Sequence, residues 1–147
     1  MIENFEKGFK ILMDLEGYYA CLKDDFGGET ILGITSKFYP EIYLKLKEAC
    51  TPDKAVPIAK EFYRKEFWFK YGCDDLPDKI DILYFVTAVN TPRGEKVMAL
   101  AVGSFENECL DAILYYVQTN NKDDRRLSLV KRVLRVWQAL NQGDVTI

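Results

Sequence analysis

The chain has 147 residues, 48% of them hydrophobic and 29% charged, which fits one ordinary domain with a core and excludes a disordered tail or a membrane span. It contains no histidine, so Ser-His-Asp and Cys-His triads and His-ligated metal centres are excluded, and any acid–base chemistry falls to carboxylates. Net charge is −3 but uneven: residues 1–121 hold 14 bases against 20 acids and residues 122–147 six against three, which is not the basic face of a nucleic-acid binder.

In chain order, Ile2, Phe5, Phe9, Leu12 and Met13 recur at three- and four-residue steps and predict an amphipathic first helix. Its N-terminus carries Glu3 and Glu6 with no apolar h-region, so no secretory signal is read there, and synthesis in the cytoplasm is expected. The next position on the apolar stripe is Glu16, followed by the helix terminator Gly17. Residues 21–35, CLKDDFGGETILGIT, break the pattern; Gly27-Gly28 and the strand formers Thr30, Ile31 and Ile34 predict a small hairpin or irregular loop near 21–34.

A short helix is expected over 37–49, then a second over about 52–70, with Thr51 as N-cap, Pro52 at its first position and Pro57 inside. Asp74-Asp75-Leu76-Pro77 reads as a loop, and residues 78–90, apolar almost all round, as a central buried helix. Further helices are expected over about 94–102, 105–118 and 122–140, the last with Leu127, Val130, Leu134 and Trp137 on its packed stripe. The class is mainly α with a small β element, and residues 1–147 read as a single domain. Cys21, Cys50, Cys73 and Cys109 lie 29, 23 and 36 positions apart with no C-x-x-C pair, which suits buried free thiols in a reducing compartment.

Only the neighbourhood of Glu16 points to chemistry. A carboxyl at the end of an apolar stripe is partly withdrawn from water, and desolvation favours the protonated form that a general acid needs. Asp25 follows nine residues later in a glycine-bearing turn, a wetter setting that favours ionisation. Two carboxylates in unlike surroundings are the usual pairing for glycoside hydrolysis, although a glutamate near a helix end is commonly a solvated residue.

The wording of this region is more specific. Glu16-Gly17 and then Asp25-Phe26-Gly27-Gly28-Glu29-Thr30-Ile31-Leu32-Gly33-Ile34-Thr35 resembles the E-G-G-Y … D-P-G-G-x-T-x-x-G-I-T signature of glycoside hydrolase family 108, the bacterial and phage muramidases sometimes called secretion-activating proteins. Glu61-Phe62-Tyr63-Arg64-Lys65-Glu66-Phe67-Trp68 and Leu83-Tyr84-Phe85-Val86-Thr87-Ala88-Val89-Asn90 are similar to later family stretches, so the resemblance covers about residues 5–100. It implies a lysozyme-like helical domain, with residues 103–147 as a helical C-terminal part.

The resemblance also implies hydrolysis of the β-1,4 bond between N-acetylmuramic acid and N-acetylglucosamine in peptidoglycan. Glu16 is then the general acid, with Asp25 and Thr30 as candidates for the second group. No metal or organic cofactor is implied. The partner is the peptidoglycan glycan strand, reached after export or lysis, and a monomer is expected. Three features keep a second reading open, a catalytically inactive wall-binding or secretion-associated module. Tyr18 stands where the signature has its second glycine, Val86 where the family has an aspartate, and the family's G-W-x-x-R ending is not recognisable in residues 103–147.

For substrate binding, the aromatic run around Phe62–Tyr71 reads first as core, with Trp68 and Tyr63 as the two rings that would line a cleft. Asn90 has the donor and acceptor set for an N-acetyl group and is equally suited to cap its own helix. The basic helix from Lys122 to Arg135 is either a solvated face or a contact for anionic wall polymers.

Overall fold

The computed structural model describes residues 2–20, 29–90, 103–119 and 123–141. Within them the chain is mainly helical with one small antiparallel sheet, as the sequence predicts. Six α-helices are described: α1 (Ile2–Glu16), α2 (Pro40–Ala49), α3 (Pro52–Tyr63), α4 (Ile80–Asn90), α5 (Phe105–Thr119) and α6 (Asp123–Asn141). The sheet has strand order β1-β2-β3, from Tyr19–Ala20, Thr30–Ile31 and Ile34–Thr35, so its first strand lies just ahead of the expected 21–34 segment. The expected turn at Gly27-Gly28, Asp25, Cys21 and the helix expected over 94–102 lie outside the described residues. Among the described residues no helix is long and apolar enough to cross a membrane.

Contacts divide the chain into two compact units: Leu12–Glu66, and Met1–Ile11 with Phe67–Ile147. In the first, α2 packs on α3 and on the β2–β3 hairpin around Leu12, Ile34, Leu46 and Tyr63. Thr51 takes the N-cap position of α3 with extended backbone, φ −133° and ψ 148°. Its side chain makes no capping bond; its carbonyl instead accepts the N–H groups of Lys54 and Ala55. Pro57 sits on the exposed side of α3 and, having no N–H, donates no ladder bond there. After Tyr63 the helix widens into a π-helical turn, Arg64–Phe69.

In the second unit every residue of α4 from Ile80 to Ala88 is buried, including Asp81 and Thr87, as its apolar circumference predicts. Phe5, Trp68 and Phe85 form a triangle of rings with centroids 5.5–5.7 Å apart. Gly8 allows α1 to approach α4 closely, since a Cβ there would lie 3.2 Å from the Phe85 ring.

The α6 stripe departs from expectation. The structure buries Leu129, Val133, Val136 and Leu140, leaves Leu127 and Leu134 exposed, and leaves Val130 and Trp137 half-buried. Two adjacent four–three apolar stripes exist on this helix, and the one whose side chains meet α4 and α5 is the one beside the predicted one. Of the cysteines, Cys73 and Cys109 are buried free thiols whose burial pushes their pKa up to about 12, whereas Cys50 is exposed at the end of α2.

Candidate functional site

Glu16 is the last residue of α1 and is half-buried. Gly17 follows in the left-handed region at φ +70°, with its N–H still bonded to the Met13 carbonyl at 3.0 Å. A left-handed glycine ends a helix without the clash a Cβ would bring. The chain reverses there, and the Tyr18 carbonyl accepts the Leu32 N–H at 2.7 Å. The β1–β2 pairing that follows sets Tyr19 opposite Ile31 and Ala20 opposite Thr30. Two residues after Glu16, the backbone is therefore already tied to the tip of the β2–β3 hairpin.

That tip is a two-residue turn, Leu32-Gly33, between strands paired Ile31 to Ile34 and Thr30 to Thr35. Both turn residues have positive φ, +51° and +77°, the pattern of a type I′ hairpin. Glycine is at ease there; a leucine is not, and left-handed backbone at a bulky residue is strain held by its surroundings. Leu32 is held in three ways. Its side chain is buried, its N–H is bonded to Tyr18, and its carbonyl accepts the Tyr63 hydroxyl at 2.8 Å.

Gly33 has no room for a side chain. A Cβ there would lie 2.7 Å from the Tyr63 hydroxyl oxygen and 2.8 Å from Glu16 Cγ. The hairpin tip therefore lies directly against the Glu16 side chain, with the Tyr63 hydroxyl on the same glycine. Three elements, the end of α1, the β2–β3 turn and the end of α3, meet at Gly33. Thr30 is half-buried on β2, two residues before Leu32. Beside it, Glu29 accepts a hydrogen bond from the Tyr43 hydroxyl and has Lys47 at 3.9 Å, which ties this end of the hairpin to α2. Asp25 lies outside the described residues.

The two rings expected to line a cleft are core residues. Tyr63 is 1% exposed and works as the clamp on Leu32, with its ring edge-on to Phe62. Trp68 is also 1% exposed, inside the aromatic triangle, and donates its indole N–H to Asp74 at 2.9 Å. Neither offers a ring face to a sugar. Asn90 is half-buried and donates to the Val86 carbonyl one turn back, the contact of a helix-end residue. Sequence reading missed Tyr63 as the support of the turn, because its partner is a backbone carbonyl 31 residues away. The exposed rings in this unit include Tyr18, two residues after Glu16, and Phe38, which lines a groove of about 920 Å³ between α2 and α3 together with Tyr39, Ile42, Ile58 and Phe62.

The arrangement is a half-buried carboxyl group at the end of α1, packed against the tip of a hairpin that Tyr63 braces. Such a group can deliver or accept one proton at a defined position. A family model described as Glycosyl hydrolase 108 matches residues 9–91, a span that contains this whole constellation. Searches of curated proteins and of solved structures find no match.

Proposed function

The chain belongs to the glycosyl hydrolase 108 family, and from that premise we propose that it cleaves the β-1,4 bond between N-acetylmuramic acid and N-acetylglucosamine in peptidoglycan. The observation that carries this reading is the packing of Glu16 against Gly33 beside Tyr63, inside the family-matched span. Glu16 protonates the leaving glycosidic oxygen as positive charge develops on the sugar ring. Asp25 or Thr30, both on the same motif, stabilises that charge or orients the attacking water. Phe38, at the groove, offers the ring face for a sugar that burial denies to Trp68 and Tyr63.

The test is the clearing of purified cell walls, with release of reducing sugar, by the wild type beside Glu16→Gln. Loss of a positioned general acid lowers turnover by about 10²–10⁴-fold. Equal clearing by both proteins would remove Glu16 from the chemistry. Wall binding by the wild type without sugar release would favour a non-catalytic module, in keeping with the apolar, fully buried Val86 in the place of the family's aspartate.

A further inference from the structure

Five of the nine large apolar side chains left exposed among the described residues lie on α5 and α6: Leu110, Leu114, Val117, Leu127 and Leu134, each 45–58% exposed. They are arranged in stripes. On α5, Leu110, Leu114 and Val117 follow a four–three spacing with half-buried Ile113 between them. On α6, Leu127, Val130, Leu134 and Trp137 follow a three–four–three spacing. Apolar residues at such intervals form the seam along which one helix packs on another.

Each stripe lies one position beyond the buried one. On α5 the buried residues are Cys109, Ala112 and Tyr116, and the exposed or half-buried ones Leu110, Ile113 and Val117. On α6 the buried residues are Leu129, Val133 and Val136, and the outward ones Val130, Leu134 and Trp137. One position is a rotation of about 100° in either helix. Only three residues separate α5 from α6, and the two pack together, so they run antiparallel. Equal rotations in antiparallel neighbours turn both stripes to the same side of the pair.

The charges beside the stripes are opposite. Helix α5 carries three acids and no base, with exposed Glu106 and Asp111 next to its stripe. Helix α6 carries five bases and two acids, with exposed Lys131 and Arg135 next to its own. An anionic bilayer or wall polymer would suit α6 and be repelled by α5. The surface that suits both is the same surface, turned by a two-fold axis.

We propose that α5 and α6 form a homodimer interface in which the acidic α5 of one copy packs on the basic α6 of the other, and the reverse, sealing both apolar stripes. A two-fold interface is self-complementary by construction, and this pairing opposes unlike charges at both seams, whereas α5 on α5 or α6 on α6 would oppose like ones. The inference is independent of the proposed activity, since it concerns α5 and α6 alone and is read by mass.

The experiment is sedimentation of the full chain at low salt, with two charge-swapped proteins, Lys131→Glu with Arg135→Glu, and Glu106→Lys with Asp111→Lys. The wild type should sediment at twice the single-chain mass at tens of micromolar. Each variant alone should associate about tenfold or more weakly, because one helix then meets its own sign of charge. An equimolar mixture of the two variants should recover the dimer, since each acidic α6 then meets a basic α5 and each acidic α5 a basic α6. Circular dichroism of each variant establishes that the helices are intact. A wild type that stays monomeric at these concentrations, including one that instead sediments with anionic phospholipid vesicles, overturns the proposal. So does a mixture of well-folded variants that stays monomeric.

Discussion

A methyl group added at Gly17 and one added at Gly33 are the same chemical change at two left-handed positions, φ +70° and φ +77°. Each costs about 1–2 kcal/mol for placing a Cβ in that backbone region. At Gly17 nothing lies within 4 Å of the new atom, so Gly17→Ala should lose only that amount and keep the ability to clear cell walls. At Gly33 the new atom meets the Tyr63 hydroxyl and Glu16 Cγ, so Gly33→Ala must also displace one of them. We expect a total loss of about 2–4 kcal/mol in urea unfolding, together with a fall in clearing activity as Glu16 moves. Equal losses at the two sites would show that the hairpin tip does not press on the carboxyl group. The glycines and Glu16 were legible as a motif. Tyr63 was legible only as an aromatic, because residue type does not say whether a ring faces a ligand or holds a turn.

At the scale of elements, helices were legible where only one face is apolar or where every face is. Helix α1 has one stripe, and Phe5, Phe9 and Leu12 on it are buried as read; α4 is apolar throughout and is buried throughout. Helix α6 has two stripes one residue apart, and spacing alone does not tell which of them meets a partner. That ambiguity gives a test in which one side-chain type is compared at two positions. Leu129→Ala removes a buried side chain and should cost about 2–5 kcal/mol. Leu134→Ala, on the stripe that looked like core from sequence, should change stability by no more than about 0.5 kcal/mol in protein dilute enough to be monomeric. Chemical unfolding of both variants decides it, and a larger loss at Leu134 would restore the packing read from sequence.

At the scale of the whole molecule, stability responds to pH through a carboxyl group enclosed in the helix that the sequence predicts to be buried. Asp81 lies in the first turn of α4 but is only 2% exposed, and Asn4, 77 residues earlier on α1, reaches it. Its Oδ2 accepts the Asn4 amide at 2.7 Å and its Oδ1 the Ile82 N–H at 2.7 Å, while Asn4 also donates to Asp78 at 2.9 Å. Burial raises the Asp81 pKa above its ordinary 3.8, and the nearby Asp78 charge adds to the rise; the two hydrogen bonds oppose it without cancelling it. As pH climbs past that ordinary value, the unfolded chain gives up its Asp81 proton before the folded chain does. The folded state then binds more protons than the unfolded one, and stability falls with rising pH over that interval. The contribution is complete below the ordinary value and is lost as pH passes the raised, folded-state value. Asp81→Asn keeps one acceptor for Asn4 and cannot titrate, so it serves as the reference. The unfolding free energy of the wild type minus that of Asp81→Asn should decline as pH rises past the ordinary 3.8 and level off once pH has passed the raised, folded-state value. A difference that grows with pH would mean that the bonds from Asn4 and Ile82 outweigh the burial, and that the ionised carboxylate, not the protonated one, is what α1 and α4 enclose.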